Sequence, residues 1–358
     1  MNANPLRTMS LIAVVAGSLM YSQRLAAQDV DASNAGRAVK THQASIRLTP
    51  VVKSELLSSA SWFAFASDGA RIVTGGHTDL AVYEASTLKR IRTIDVPAGI
   101  GSVVLSHDNQ TAYATVGNCD ELRWWGLGHG ASEGAWKSQV IAVRCALPSS
   151  EVLASGPGKI MLVNPHTGKQ KTVIETDPGT ILYDAYLDSD GTLTVMENRE
   201  VGDQPHWIRR IDFAKRIIRE RQFKVGREEG PDLYRCGNRA VVGLNWKAIP
   251  GQDPICELEV WGGAEFNRLQ AIKIPDSKYT SCGICVGEDY LCVGGRPLGD
   301  SLFEPEGYFT FVDVKSGIVL HREKFHSPVE RLAFCAEKKL LAALIGDGEL
   351  RIWKLEID

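Results

Sequence analysis

The sequence predicts an all-β fold, a closed ring of seven blades each built from four short antiparallel strands, and three observations carry that expectation. An alternating apolar strand recurs seven times, ending at Tyr83 (DLAVY), Trp125 (ELRWW), Val163 (KIMLV), Ile211 (WIRRI), Trp261 (ELEVW), Val312 (YFTFV) and Trp353 (ELRIW). The copies are separated by 42, 38, 48, 50, 51 and 41 residues, the length of one multi-stranded repeat. Turn signals punctuate the units at Ser67-Asp68-Gly69, Asp108-Asn109, Thr167-Gly168, Asp190-Gly191 and Ser316-Gly317. A single unit of this kind cannot bury both faces of its sheet, whereas a closed ring buries all of them, so a β-propeller follows.

Taken from the N-terminus, Arg7 precedes a short apolar run, Leu11 to Met20, and the small residues Ala26 and Ala27 follow. Charge, apolar core and small-residue site in that order read as a secretory signal peptide over residues 1–27, cleaved near Ala27. The run is too short for an ordinary membrane span, and an uncleaved anchor is the rival reading. Residues 28–43 are polar and rich in small side chains, as expected of a flexible leader before a propeller over 44–358. Cleavage removes two arginines and no acids, moving the formal charge from −3 to −5. That balance argues against nucleic acid, which requires a basic stripe. The expected location is periplasmic or extracellular.

Within the first unit, Ser61–Ala66, Arg71–Thr74, Leu80–Tyr83 and Lys89–Ile94 alternate with turn residues as four strands. The last unit shows only three, Glu330–Cys335, Leu340–Leu344 and Glu349–Leu355, before the sequence ends at Asp358. Residues 44–52 (ASIRLTPVV) belong to no unit, so they are expected to supply the missing outer strand and close the ring. Closure removes a strand edge that would otherwise invite association.

All eight cysteines lie beyond the signal segment: Cys119, Cys145, Cys236, Cys256, Cys282, Cys285, Cys292 and Cys335. Export permits disulfides, but free cysteine also serves as a small buried apolar group. Cys282 and Cys285 form a C-x-x-C pair without the second pair or histidine that a zinc site needs. On one extended strand they point to opposite faces and do not bond without a turn at Gly283. Trp124-Trp125 likewise point opposite ways, as packing residues of neighbouring interfaces. Gly126–Gly134 is read as a mobile connection, and Asn109-Gln110-Thr111 as a sequon placed in a tight turn. No histidine pair has metal-ligand spacing and no G-x-S-x-G elbow is present, so no metal, cofactor or catalytic residue is assigned.

Segments Ser61–Thr87, the second unit through Trp125, and Leu332–Leu355 resemble the WD40-repeat family, and weaker resemblance spans residues 44–358. The departures are specific. The family's Trp-Asp dipeptide stands here as Trp125-Gly126, Trp261-Gly262 and Trp353-Lys354, and its Gly-His dipeptide ahead of each blade is absent. Asp79, Asp120 and Asp347 match the turn aspartate, whereas the third unit has Lys159. The family's hydrogen-bonded tetrad is therefore expected to be incomplete.

The resemblance implies that the connection between a blade's second and third strands projects on the same face as the links between blades. The three longest intervals place their extra residues in that connection: 197–205, 246–255 and 296–307. Loops on a rigid scaffold are where binding residues concentrate. The expected partner-binding residues are Arg199, Glu200, Asp203, His206, Trp246, Lys247, Asp253, Arg296, Asp300, Phe303, Glu304 and Glu306, with Trp246 and Phe303 as anchors. Ordinary tolerated insertions are the plain alternative. The expected function is a non-catalytic binding or scaffold module for another protein, as a monomer or as one subunit of a hetero-complex. A hydrolase or lactonase-like propeller with its site at the channel mouth is the rival.

Overall fold

The computed structural model describes residues 44–358 apart from 56–59, 61, 97, 118–120, 129–132, 138–139, 141, 148, 157, 177–179, 188–191, 200–205, 213–217, 224–231, 246–255, 264, 276, 298–305 and 347. Seven four-stranded antiparallel sheets make up this body. Strand β1 (Ile46–Glu55) opens it. Blade 1 follows with β2 (Trp62–Phe65), β3 (Arg71–Gly75), β4 (Asp79–Glu84) and β5 (Arg90–Asp95). Blade 2 is β6 (Ile100–Leu105), β7 (Thr111–Val116), β8 (Glu121–Gly126) and β9 (Glu133–Lys137). Blade 3 is β10 (Ala142–Ala146), β11 (Val152–Gly156), β12 (Lys159–Val163) and β13 (Gln170–Glu175). Blade 4 is β14 (Thr180–Leu187), β15 (Thr192–Arg199), β16 (His206–Asp212) and β17 (Ile218–Phe223). Blade 5 is β18 (Asp232–Cys236), β19 (Arg239–Asn245), β20 (Cys256–Gly262) and β21 (Asn267–Ile274). Blade 6 is β22 (Ser277–Cys285), β23 (Tyr290–Pro297), β24 (Gly307–Asp313) and β25 (Ile318–Phe325). Blade 7 has β26 (Val329–Cys335), β27 (Leu340–Ile345) and β28 (Glu349–Ile357). Among the described residues no helix is long and apolar enough to cross a membrane.

Strand β1 pairs antiparallel with β28 as the outer strand of blade 7, from Ile46 opposite Ile357 to Glu55 opposite Glu349. It starts two residues later than the predicted 44–52 segment and runs three residues further, with a register shift between Pro50 and Val52. Proline lacks the N–H a regular ladder requires, so the irregularity falls where the ladder is weakest. The first strands of successive blades pack side by side around the axis, and β26 against β2 completes the circle.

Seven apolar clusters fill the seven blade interfaces. Val73, Leu80, Val103 and Trp125 join blades 1 and 2, whereas Phe63, Tyr83, Leu344 and Ile352 join blades 7 and 1. Middle strands are buried on both faces, which is why β7 (TAYATV) and β27 (LLAALI) read as continuous apolar runs. Trp124 and Trp125 diverge as expected: Trp125 fills the interface with blade 1, and Trp124 packs toward blade 3 and meets the His166 ring at 5.1 Å. The Gly126–Gly134 stretch departs from expectation at its end. Gly134 belongs to β9, where the Trp124 ring occupies the space of a side chain.

Antiparallel order sends the second-to-third connections and the inter-blade links to one face, and the first-to-second hairpin turns to the other. Backbone bonds join the first group directly. Val96 N–H donates to Thr78 O at 2.9 Å, Ile100 N–H to Gly76 O at 2.9 Å, and Gly346 N–H to Pro328 O at 2.7 Å. At Gly307 a Cβ would lie 2.5 Å from Pro328 Cα, so only glycine lets β24 start against the link into blade 7. On the opposite face, Asn109 (φ 59) bridges neighbouring turns. Its carboxamide accepts from Ser67 N–H and donates to Ser67 Oγ, both at 2.8 Å.

Candidate functional site

The innermost strands carry a repeated irregularity. Register shifts fall between Ile100 and Ser102, Val143 and Cys145, Leu182 and Asp184, Thr280 and Cys282, and Val329 and Arg331. A bulge bends its strand and re-aims a side chain, and here it serves curvature around the axis. Arg144, on the blade 3 bulge, reaches Asp184 of blade 4 at 2.8 Å, and Asp184 also accepts from Ala185 N–H at 2.7 Å. Burial raises the Asp184 carboxyl above the ordinary range, against the pull of Arg144 and, more weakly, Arg331. The Arg331 guanidinium stacks over Trp62, 4.2 Å from the ring centroid. Arg235 of blade 5 donates to Leu187 O at 3.0 Å and to Gly237 O at 3.2 Å.

The axis widens on the hairpin face into a cavity of about 900 Å³. Blades 4 to 7 line it, among others through Asp184, Tyr186, Arg239, Cys285, Asp289 and Phe334. An ion pair between Arg239 and Asp289 ties the blade 5 turn to the blade 6 turn. The Tyr234 ring lies on Gly283, where an added Cβ would come within 2.7 Å of it, so β18 and β22 approach more closely than side chains permit.

That approach sets two thiols together. Cys236 at the end of β18 is fully buried, Cys285 at the end of β22 is half-buried, and their sulfurs are 3.2 Å apart. Sharing a proton with Cys236, then donors from the Gly287 and Gly237 backbone, pulls the Cys285 thiol down to about 6. The same shared proton, with burial, pushes Cys236 up. By contrast, burial raises Cys145 to about 11. Cys282 points to the other side of β22, into the blade 6–7 cluster beside Val329 O at 3.6 Å. The two cysteines of the C-x-x-C pair thus face different neighbours, and the thiol that meets Cys285 comes from the preceding blade.

Four of the predicted binding residues are described, at or next to strand ends on the other face. Arg199 ends β15 opposite Thr180, and Arg296 lies in β23 opposite Tyr279. His206 opens β16 opposite Phe223, half-buried, with its pKa lowered by burial. Glu306 is exposed and immediately precedes β24. Glu200, Asp203, Trp246, Lys247, Asp253, Asp300, Phe303 and Glu304 lie outside the described residues. The strand ends set their chain positions on three adjacent blades. In blades 4, 5 and 6 the second-to-third connections span six, ten and nine residues, against three, four, two and three in blades 1, 2, 3 and 7.

Sequence reasoning named the channel mouth only as the rival site and assigned no residues to it. Arg144, Asp184, Arg235 and Arg331 occur singly on separate repeats with no local motif. The thiol pair left one trace, because Cys236 and Cys285 are 49 residues apart, close to the repeat intervals of 48, 50 and 51 in that part of the chain.

No protein-family model matches the chain. No curated protein matches it either. Among solved structures it is similar to the Myceliophteria thermophila Cps50 (Swd1) β-propeller domain, with TM-score 0.61 and 13% identity over 87% of this chain and 100% of that one. The likeness is one of fold, a seven-bladed β-propeller. In blade 1 the Tyr83 hydroxyl bonds the Thr74 side chain.

Proposed function

We propose that this WD40-type propeller is an exported, non-catalytic binding module that holds another protein against the face carrying the long connections of blades 4 to 6. One observation carries the reading: the three extended connections belong to three consecutive blades and leave by the same end, while the other four blades turn tightly there. Random tolerance to insertion has no reason to choose neighbours and one face together. Trp246 and Phe303 are the proposed anchors, since aromatic side chains dominate interface energetics. Export rests on the charge, apolar core and small-residue order of residues 1–27. The resemblance in fold to a propeller domain adds analogy only.

The alternative, a hydrolase or lactonase-like enzyme at the channel mouth, has the cavity in its favour. Against it, Asp184 is engaged by Arg144 and Ala185 N–H, and among the described residues no histidine lines the cavity to act as a base. The test is capture from the exported fraction of the native host by the mature protein, beside a folded variant with the three connections shortened to tight turns. A partner held by the wild type and lost from the variant is expected. Equal capture by both contradicts the assignment of this face.

A further inference from the structure

We propose that Cys236 and Cys285 form a redox-active dithiol that closes to a disulfide between blades 5 and 6, with Cys285 as the attacking thiol and Cys236 as the resolving one. Three features of geometry converge. The sulfurs are 3.2 Å apart, and a disulfide bond of about 2.0 Å is a small side-chain movement away. The two residues end the innermost strands of adjacent blades, so the bond joins elements with no hydrogen-bonded ladder between them. Cys285 lines the 900 Å³ cavity while Cys236 is sealed behind it, which separates an accessible thiol from a protected one.

The surroundings fit those roles. Cys285 is influenced by Arg235 from β18 and by the backbone of Gly287 and Gly237, and its thiolate is favoured near neutral pH. Cys236 faces Glu288 O at 3.7 Å and lies near the Arg239–Asp289 pair, and it keeps its proton. Both thiols belong to the apolar cluster between blades 5 and 6 that also holds Val241 and Leu291.

The oxidant is a disulfide, either a small-molecule one or that of a thiol oxidoreductase. Cys285 thiolate attacks one sulfur of RSSR, the S–S bond breaks, and RS⁻ leaves and takes up a proton. Cys236 then gives up its proton, and its sulfur displaces the second RS⁻ from the mixed disulfide. The protein loses two electrons and two protons, and RSSR becomes two RSH.

The test uses the mature full-length chain, reduced, then exposed to oxidised glutathione at pH 7, with remaining thiols alkylated and mapped by mass spectrometry. A Cys236–Cys285 linked peptide, a mass loss of two hydrogens and a melting temperature higher by several degrees are expected. In Cys236→Ser a glutathione adduct is expected to accumulate on Cys285, and in Cys285→Ser neither adduct nor linkage at this site. Wild type with both thiols still alkylatable, a bond from Cys285 to another cysteine, or Cys236→Ser that takes no glutathione overturns the proposal. The wild-type map decides the matter even where a serine variant folds poorly.

Discussion

Ser45 and Asp358 exchange both backbone hydrogen bonds, Ser45 N–H to Asp358 O at 3.3 Å and Asp358 N–H to Ser45 O at 3.1 Å, across 313 residues of chain. The ring is therefore clasped by its own first and last strands. Ile46 and Leu48 pack into the blade 6–7 cluster and Val52 into the blade 7–1 cluster. Losing these three partly buried side chains costs about 4 kcal/mol before the strand bonds are counted. Deletion of residues 44–55 is predicted to lower the melting temperature by roughly 10 °C and to expose β28 to association. Calorimetry with light scattering reads both effects, and an unchanged melt contradicts the clasp.

Ser102 is buried between blades 2 and 3, where its Oγ accepts from Val143 N–H at 2.9 Å and lies 3.0 Å from Thr115 Oγ1. Ser102→Ala leaves a buried N–H without that acceptor, at a cost of about 1–3 kcal/mol. Ser102→Thr retains the hydroxyl and loses less if the extra methyl is accommodated. Denaturant unfolding of the pair checks this, and equal stability of wild type and Ser102→Ala rules out the bridge as a stabilising contact.

The Arg144–Asp184 pair sits where burial and charge oppose each other. Arg144→Met removes the nearest opposing charge, so the Asp184 carboxyl is predicted to titrate higher than in the wild type. Carboxyl ¹³C shifts followed by NMR from pH 3 to 8 measure it. No difference between the two proteins breaks the electrostatic account of the channel.

The reduced thiol pair gives a pH signature. Cys285, lowered from 9.0 to about 6, contributes stability that is fully present above its unfolded pKa and disappears as pH falls through about 6. Cys236, raised, contributes stability present below 9.0 and lost at higher pH. Reduced protein is predicted to gain on Cys285→Ser by about 1–2 kcal/mol between pH 6 and 9, once solvent screening at a half-open site is allowed for. Unfolding free energies of both proteins under reductant test it, and a flat difference across that window contradicts the assignment.

Fold was largely legible because the repeat is written in strands buried on both sides. In blade 1 the expected Arg71–Thr74, Leu80–Tyr83 and Lys89–Ile94 segments match β3, β4 and β5 to within a residue or so. Strand boundaries at the clasp were less legible, since Pro50 and Val51 interrupt the alternation that marks a strand. The site divides the same way. Loop length can be read from repeat spacing, so three adjacent long connections were visible in the sequence. The cavity was not, because Asp184, Arg239 and Cys285 come from three repeats and acquire meaning only through the angle at which blades meet. Cys282 and Cys285 drew attention by their spacing, yet Gly283 and the Tyr234 ring decide which thiol meets Cys285.

Residue-specific photo-crosslinking tests the binding account most directly. A photoreactive side chain is placed at Trp246 or Phe303, within the long connections of blades 5 and 6, and at Asn238 or Glu288 on the cavity face, and each protein is exposed to the native exported fraction. The account predicts one shared crosslinked protein from Trp246 and Phe303 and none from Asn238 or Glu288. Crosslinks confined to Asn238 and Glu288 contradict it and move the site to the channel mouth.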